Sequence, residues 1–522
     1  MHLSSLLDIA ADALADRVAV AASAGGTGAG IGAELTYKEL SERVAAVSRH
    51  LASVGAERLV AVDVNSEAVP IGLFGAARAN IPYVPVNYRL ADAQLRAILE
   101  RAAPGLAVVE ASVPPRLGAE IPGLTLTSRD EFLGADGPVV AAGDDDPEEA
   151  AVLLFTSGTT GEPKAAVLRH RHLTSYVLET VEFMGADPDD AALVSVPPYH
   201  IAGIAAVLSS VWSGRRLVYL PQFSPESWVD LAAAESITHA MVVPTMLGRI
   251  LEVLVERDEQ LPALRHLSYG GGRMPMALVE RALEQLPHVG LVNAYGLTET
   301  SSTVAVLGPE DHREAIGSTE PAVRARLGSV GRPLPNLTVE IRDHDGRPVE
   351  AGTHGEIWVK GDQVSGEYLG RKAAVSADGW LATNDGGWLD QEGFLFVEGR
   401  LDDVIVRGGE NLSPGEIEEV LLLHPAVADA AVIGVPDEEW GEAVAAVIVL
   451  VETDTDSDTD GTADVDEAAL RTWVAERLRS TRAPERIEFR AELPYSETGK
   501  LLRRVLKAEF GAEAGAGATP TP

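Results

Sequence analysis

Residues 151 to 164 read AVLLFTSGTTGEPK. The five apolar residues Ala151 to Phe155 predict a buried strand. It runs straight into Thr156-Ser157-Gly158-Thr159-Thr160-Gly161, and Glu162-Pro163-Lys164 closes the stretch. Two glycines let the backbone fold tightly and present N–H groups to an anion, the hydroxyls add short donors, and Lys164 adds a full positive charge. The pattern reads as a phosphate cradle. It is not the GxxxxGK[ST] loop, because Gly161-Glu162-Pro163-Lys164 breaks that spacing and Pro163 opposes an immediate helix start. On composition alone the alternative is a surface loop rich in turn residues.

Outward from this loop, helical and strand patterns alternate. Ser41 to Val54, Ala68 to Ala79 and Asp92 to Arg101 carry apolar residues at helical spacing. Between and after them, Leu59 to Val64, Tyr83 to Val86 and Leu106 to Val109 are short apolar runs. Such alternation predicts βαβ units and a largely parallel sheet with helices on both faces. Beyond the loop, Leu193 to Val196 ends in Pro197-Pro198-Tyr199-His200. Leu217 to Leu220, Ala240 to Val243, Leu264 to Tyr269 and Gly290 to Asn293 are further strands. The last two open into Gly270-Gly271-Gly272 and Ala294-Tyr295-Gly296-Leu297-Thr298-Glu299-Thr300. Open parallel sheets take ligands at the carboxyl ends of their strands, so several function-like loops converge on one edge.

From Arg332 the pattern changes to short β segments (Thr338 to Arg342, Glu356 to Val359, Phe394 to Val397) separated by Asp345-Gly346 and Glu392-Gly393. A compact α+β unit follows Gly399-Arg400-Leu401-Asp402-Asp403. Its first helix is predicted to start at Ser413 as N-cap, with Pro414 at the first position and Glu416 completing a capping box. Two strands (Ala428 to Val435, Ala443 to Val451), a helix (Glu467 to Arg479) and a strand at Ile487 to Phe489 complete it. Gly25 to Gly32 reads as a flexible tip. The acidic Thr-Asp run from Glu452 to Asp466 reads as solvated rather than metal-binding.

The 522 residues, 46% of them hydrophobic, leave room for two or more domains and a sizeable core. A formal net charge of −37 disfavours nucleic acid as a partner, and an anionic nucleotide must be held by local basic groups and backbone donors. Cysteine is absent, which excludes disulfides, cysteine-ligated metals and a thioester carried on the enzyme. Any sulfur comes from a partner. The stretch Met1 to Ala22 carries Asp8, Asp12 and Asp16 with no basic segment before it, so it is not read as a secretory signal. Ile201 to Trp212, the longest apolar stretch, is too short to span a bilayer. A cytoplasmic protein is the expectation.

FTSGTTGEPKAAV, NAYGLTET, DGWLATNDGGW, GRLDDVIVRGGENLSPGEIEE and LPYSETGKLLRR occur in this order. In these motifs, from about Thr36 to Lys507, the chain resembles the adenylate-forming (AMP-binding) superfamily of acyl- and aryl-CoA synthetases, peptide-synthetase adenylation domains and beetle luciferases. It is most similar to the acyl-/aryl-CoA synthetase branch, especially the 4-chlorobenzoate-CoA ligase type. The implied fold class is α/β, with a large N-terminal domain (1–400) of stacked, mainly parallel sheets with helices. A β subdomain occupies about 332–400. A small mobile α+β lid domain (401–510) follows, with its hinge near Asp402, and residues 511–522 form a disordered tail.

The resemblance implies two half-reactions. A carboxylate attacks the α-phosphate of ATP to give acyl-AMP and pyrophosphate, and the thiol of coenzyme A then displaces AMP. Both first-step substrates are anions, so catalysis is positioning and charge neutralisation. The implied nucleotide-binding residues are Thr156, Ser157, Gly158, Thr159, Thr160, Gly161 and Lys164 for the β- and γ-phosphates, and Thr298 for the α-phosphate. Glu299 would hold Mg2+, a hard cation that takes oxygen ligands. Tyr295 offers a ring face to adenine and Asn293 an amide to its edge, while Gly271, Gly272, Ala294 and Gly296 permit close approach. Asp385, helped by Arg400, would take the ribose hydroxyls. Lys500 is the implied adenylation lysine, and withdraws when the lid turns about Asp402. Gly408 and Gly409 then help form the pantetheine tunnel, with Trp440 and Arg482 near the CoA nucleotide.

His200 resembles the gate residue of the acyl pocket, although a histidine at a strand end is equally a packed structural residue. Ile201 to Ile204, Ser268 to Gly272 (with Gly270 and Gly271) and Thr300 to Val304 are the selectivity candidates, Gly203 among them. Amino-acid activators place an Asp near Pro-Pro-Tyr-His, and none occurs here, which favours a hydrophobic or aromatic acid. Four positions depart from the superfamily's usual residues: Ala165 and Asn384 for glycine, Val406 for lysine, Glu485 for a basic residue. Three alternatives stand beside the complete CoA ligase, and the departures motivate the first two. These are an enzyme that only thioesterifies a preformed acyl-adenylate, an acyl-AMP ligase that loads a carrier protein, and a non-catalytic nucleotide-binding protein. Monomer and homodimer both stay open.

Overall fold

In a computed structural model the described residues are 1–23, 31–138, 145–156, 164–437, 440–451, 465–496 and 501–516. The chain divides into two compact units. The first comprises Met1–Gly270, Glu280–Val339 and Val359–Ala382, and the second Gly271–Val279, Glu340–Trp358 and Thr383–Pro522.

Apolar runs of four to eight residues, too continuous for a one-faced strand, become the buried strands of two sheets in the first unit. Among the described residues one sheet has six strands, in the order Leu124–Ser128, Gly105–Val109, Leu59–Val62, Tyr83–Pro85, Ala150–Thr156, Lys164–Arg169. Its first five strands pair in parallel, and Lys164–Arg169 returns antiparallel on Ala150–Thr156. The other has nine, in the order Arg332–Pro333, Ser302–Leu307, Gly290–Leu297, His266–Gly270, His239–Val242, Ala191–Val194, Arg216–Tyr219, Val18–Ser23, Ile31–Thr36. Its centre is parallel and both edges end in antiparallel strands.

Helices fill the faces. Tyr37–Ser53 starts at a complete capping box, in which Thr36 accepts from the Glu39 N–H and Glu39 from the Thr36 N–H. The Tyr37 hydroxyl, fully buried, points its one proton into a cluster of the Ser210, Val211 and Arg215 carbonyl oxygens, each 3.2–3.3 Å away. Burying each such large side chain stabilises by about 2–3 kcal/mol. Ala68–Arg78 is buried almost all round, and an added Cβ on Gly75 would lie 3.0 Å from Val47 Cγ1. Small residues let these helices close on each other.

The sheet Thr338–Arg342, Gly355–Lys360, Leu381–Leu389, Leu395–Arg400 falls largely in the second unit. Beyond it, Val427–Asp437 and Gly441–Leu450 form a long antiparallel pair, flanked by Ile405–Arg407, Glu410–Leu412 and Arg486–Phe489. Helices Pro414–Leu422 and Glu467–Arg477 pack on one face of this sheet and Arg503–Ala516 on the other.

Two expectations are corrected here. Ser413 is the N-cap of Pro414–Leu422 but makes no side-chain cap, since its Oγ donates to the Glu398 carbonyl at 3.3 Å. Glu416 is drawn off by Arg482 Nη1 at 2.8 Å. A charged partner within reach outcompetes the neutral capping bond. Residues 511–516, expected in a disordered tail, belong instead to the helix Arg503–Ala516, whose last turns carry the good helix formers alanine and glutamate. Of the expected tip, Ile31 and Gly32 begin a strand, and residues 24–30 lie outside the described ones, as do 452–464 of the acidic run and 517–522 of the tail. No helix among the described residues is long and apolar enough to cross a membrane.

Candidate active site

The two residues flanking the predicted cradle end an antiparallel strand pair. Thr156 and Lys164 face each other across the last register position, and Thr156 Oγ1 donates to the Lys164 carbonyl at 3.4 Å. Ser157, Gly158, Thr159, Thr160 and Gly161 lie outside the described residues. Ala165 is 1% exposed and paired with Phe155, so a small side chain is packed where glycine is usual. Lys164 Nζ lies 5.7 Å from the Tyr368 ring centroid, within cation–π range.

Asn293, Ala294, Tyr295 and Gly296 lie along one strand, Gly290–Leu297, longer than the apolar run suggests. Asn293 Nδ2 donates to the Ser329 carbonyl at 3.1 Å, which orients the amide. Gly270 lies beside Ala294 in register, and a Cβ there would meet the Ala294 carbonyl oxygen at 2.4 Å. Only glycine fits that approach. Gly271 (φ +78°) and Gly272 are exposed and belong to the second unit.

The strand turns at Thr298–Thr300, a single 3-10 turn held by Thr300 Oγ1, which accepts from the Leu297 N–H at 3.0 Å. Thr298 and Glu299 stay half-exposed while Thr300 is buried. The Tyr368 hydroxyl donates to the Glu299 carboxylate. Through Tyr368 the structure therefore brings Lys164 and Glu299, residues of two separate motifs, onto one side chain.

His200 caps the helix Ile201–Ser213 with its backbone, accepting from the Gly203 N–H at 3.0 Å. Its ring packs 4.9 Å from that of Tyr199, and burial pushes its pKa down to about 4. It is neutral at pH 7. Gly203 is tight against the Pro197 carbonyl, 2.9 Å from where a Cβ would stand, and Ile201 is half-buried.

In the second unit Asp385 is buried and Arg400 Nε lies 3.0 Å from its Oδ1. Arg400 Nη1 also donates to the Thr383 carbonyl at 2.9 Å, and the Asp385 N–H donates to Thr383 Oγ1 at 3.1 Å. Arg400 thus bridges the carboxylate and the Thr383 carbonyl, while the backbone bond to Thr383 holds the Asp385 main chain. Asn384 takes φ +61°, the conformation that glycine adopts freely, and Asp402 lies in the turn Leu401–Asp403. Gly408 and Gly409 form the tip joining Ile405–Arg407 to Glu410–Leu412, and the Gly408 N–H donates to the Trp440 carbonyl at 2.7 Å. Arg407 pairs with Glu485 and stacks over Trp440 at 5.6 Å, while Arg482 is held by Glu416. Val406, in place of the usual lysine, is half exposed. Lys500 lies outside the described residues.

Two residues escaped the sequence reading. Tyr368 and the fully buried Gln363 sit in GDQVSGEYLG, a polar, glycine-bearing stretch with no periodicity. Among the described residues no cluster of three or more His, Asp or Glu side chains could hold a metal alone. One oriented carboxylate at Glu299 suits Mg2+, which is commonly bound by one or two carboxylates together with substrate phosphates.

The fold is that of an adenylate-forming acid–thiol ligase. Residues 7–369 match the AMP-binding enzyme family model and 416–500 that of the AMP-binding enzyme C-terminal domain. The chain belongs to the AMP-binding enzyme family. It is 32% identical to the fatty acid–[acyl-carrier-protein] ligase ScoC of Streptomyces coeruleorubidus over 92% of each chain. It is also 32% identical to a 2-succinylbenzoate–CoA ligase of Bacillus mycoides, over 91% of this chain and 93% of that one. The o-succinylbenzoate CoA synthetase MenE of Bacillus subtilis, solved with ATP and magnesium ion, superimposes with a TM-score of 0.81 at 28% identity, covering 96% of this chain and 99% of that one.

Proposed function

We propose that the protein is a carboxylic acid–CoA ligase that activates a hydrophobic or aromatic acid as its acyl-adenylate and passes the acyl group to the thiol of coenzyme A. The observation that carries this reading is the meeting of Lys164 and Glu299 on Tyr368, a cation and a carboxylate held apart at the ends of two sheet strands. The Thr156–Lys164 loop takes the β- and γ-phosphates, Thr298 the α-phosphate, and Tyr295, Asn293 and Asp385 the nucleoside. Glu299 would hold Mg2+, which would supply charge neutralisation at the phosphates. Lys500 bridges the incoming carboxylate and the α-phosphate. Asp402 is the hinge of a lid from residue 401, and Gly408, Gly409, Trp440 and Arg482 serve the thiol-bearing substrate. The reaction belongs in the cytoplasm, where ATP and coenzyme A are supplied.

Neutral His200 at the head of an apolar helix, with no acid beside Pro197-Pro198-Tyr199, supports an acid without an ammonium group. The likeness to the 4-chlorobenzoate type rests on Pro163-Lys164-Ala165-Ala166 and is secondary. A panel of benzoic, cinnamic and aliphatic acids tests the reading. Pyrophosphate release and CoA-ester formation with at least one acid are expected, and neither with any of them overturns it. Loading of a carrier protein is the second reading. It is favoured by the carrier-protein ligase among the relatives and by Glu485 and Glu416, which occupy Arg407 and Arg482. Acyl transfer to a phosphopantetheinylated carrier but not to coenzyme A would select it.

A further inference from the structure

The segment from Gln363 to Leu369 is bonded to both motifs that meet at Tyr368. On the phosphate-loop side, the Leu369 N–H donates to the Ala165 carbonyl and the Val167 N–H to the Glu367 carbonyl, each at 2.9 Å. Arg169 grips the Glu367 carboxylate with Nε at 3.0 Å and Nη2 at 2.9 Å, a two-pronged pair with fixed geometry. On the other side, the Ser365 N–H donates to the Glu299 carbonyl at 2.8 Å. Gln363 Nε2 donates to the Thr300 carbonyl at 2.9 Å and the Thr303 carbonyl at 2.7 Å. Ser301 Oγ donates to the Gln363 carbonyl at 2.9 Å, and Asn336 Nδ2 to Gln363 Oε1 at 2.9 Å. A buried amide with donors and acceptor all engaged is rigid.

We infer that this segment is a brace that sets the phosphate-loop strand against the Thr298–Thr300 turn, and that Tyr368 is the positioning residue for the Glu299 carboxylate. Its hydroxyl occupies one side of that carboxylate and fixes the rotamer, and its ring meets the Lys164 ammonium. Lys164 and Glu299 carry opposite charges, and direct pairing would spend both on each other. Tyr368 gives each a partner other than the opposite charge, which would leave the cation available to phosphate oxygens and the carboxylate to a metal. The inference rests on the reading of Glu299 as the magnesium carboxylate.

Tyr368→Phe removes the hydroxyl and keeps the ring. The readouts are Mn2+ binding in the presence of ATP, followed by the electron paramagnetic resonance of free Mn2+, then the Mg2+ dependence of pyrophosphate release, and thioester formation from supplied acyl-adenylate. Loss of a hydrogen bond to a charged group predicts about tenfold weaker Mn2+ binding and a matching rise in the Mg2+ needed for half-maximal adenylation. Thioester formation should stay within about twofold and the melting temperature within a few degrees. Tyr368→Leu, which also removes the ring, should add a loss of ATP affinity. Unchanged Mn2+ binding, or equal losses in both half-reactions, overturns the inference. If the wild type releases no pyrophosphate with any acid, the proposed function fails on its own, and the Mn2+ titration with ATP still decides the role of Tyr368.

Discussion

The side-chain amide of Asn384 donates to Asp402 Oδ2 at 2.8 Å, so the residue before the buried Asp385 is tied to the proposed hinge. Its own N–H donates to Glu356 Oε1 at 3.2 Å, and its backbone is held at φ +61°. Asparagine is among the few side chains that tolerate this region, which costs other L-residues about 1–2 kcal/mol. Asn384→Ala should therefore lower stability by about 1–2 kcal/mol, and Asn384→Gly by about 1 kcal/mol less, because glycine relieves the backbone while losing the same bond. Denaturant midpoints measure the difference. Both variants release Asp402 and should shift the ratio of the two half-reaction rates alike. An unmoved ratio in both would separate this bond from the hinge.

Burial lowers the pKa values of several histidines: His170, His172 and His239 to about 3, and His200 to about 4, from an ordinary 6.5. Between pH 6.5 and 4 the unfolded chain binds protons that the folded chain does not. Stability is thus fully present above pH 6.5 and is lost as pH falls through that window. Each such residue contributes on the order of 1–2 kcal/mol of loss by pH 5. Urea midpoints should be flat above pH 7 and fall steeply below 6.5. His172→Gln should make the fall shallower, since His172 Nε2 is buried without a partner and gains nothing on protonation. A slope identical to wild type would contradict the assignment.

Lys500 is proposed to act only while charge concentrates between the carboxylate and the α-phosphate. Lys500→Ala should slow adenylation about a hundredfold or more, the usual cost of removing one charge-stabilising contact, and should spare thioester formation from supplied acyl-adenylate. The two half-reactions, assayed separately, check this. Comparable loss in both would remove the assigned role.

The parallel architecture was legible because strands buried on both faces are continuous apolar runs, as at Leu59–Val62 and Gly105–Val109. Thr338–Arg342 kept its predicted limits, having half-buried Glu340 and Arg342 on either side of the buried Ile341. The antiparallel return at Lys164–Arg169 was not seen, since AAVL reads as the continuation of the loop motif until its pairing with Phe155 and Leu154 is known. The helix Ile201–Ser213 shows in the sequence only as an apolar stretch, because it is apolar almost all round and has no amphipathic period. Val18–Ser23 was hidden in the same way, where helix Ser4–Ala13 gives way to a strand without a strong turn signal. Candidate residues in ordered motifs could be named, but their partners could not. Ser329 for Asn293, Tyr368 for Glu299 and Glu485 for Arg407 lie 36 to 78 positions away, and no local pattern specifies such pairs.

Gly408 and Gly409 offer a test in which two neighbours differ in one respect. Both have positive φ, +57° and +83°, in the two-residue turn between Ile405–Arg407 and Glu410–Leu412, where a right-handed twist favours that pair of conformations. Alanine at either site pays about the same backbone cost, on the order of 1 kcal/mol. The surroundings differ. A Cβ on Gly408 would lie 2.9 Å from Trp440 Cε3, whereas one on Gly409 meets nothing within 4 Å. Gly408→Ala must push the Trp440 ring aside, together with Arg407 stacked over it. If the turn lines the path of the thiol, Gly408→Ala should slow thioester formation from supplied acyl-adenylate by about tenfold relative to Gly409→Ala, with adenylation alike in both. A change in tryptophan fluorescence confined to Gly408→Ala would report the displaced ring, since Trp440 is 46% exposed and the Gly409 site does not touch it. Equal rates in the two variants would mean that the position of Trp440 has no bearing on the second half-reaction.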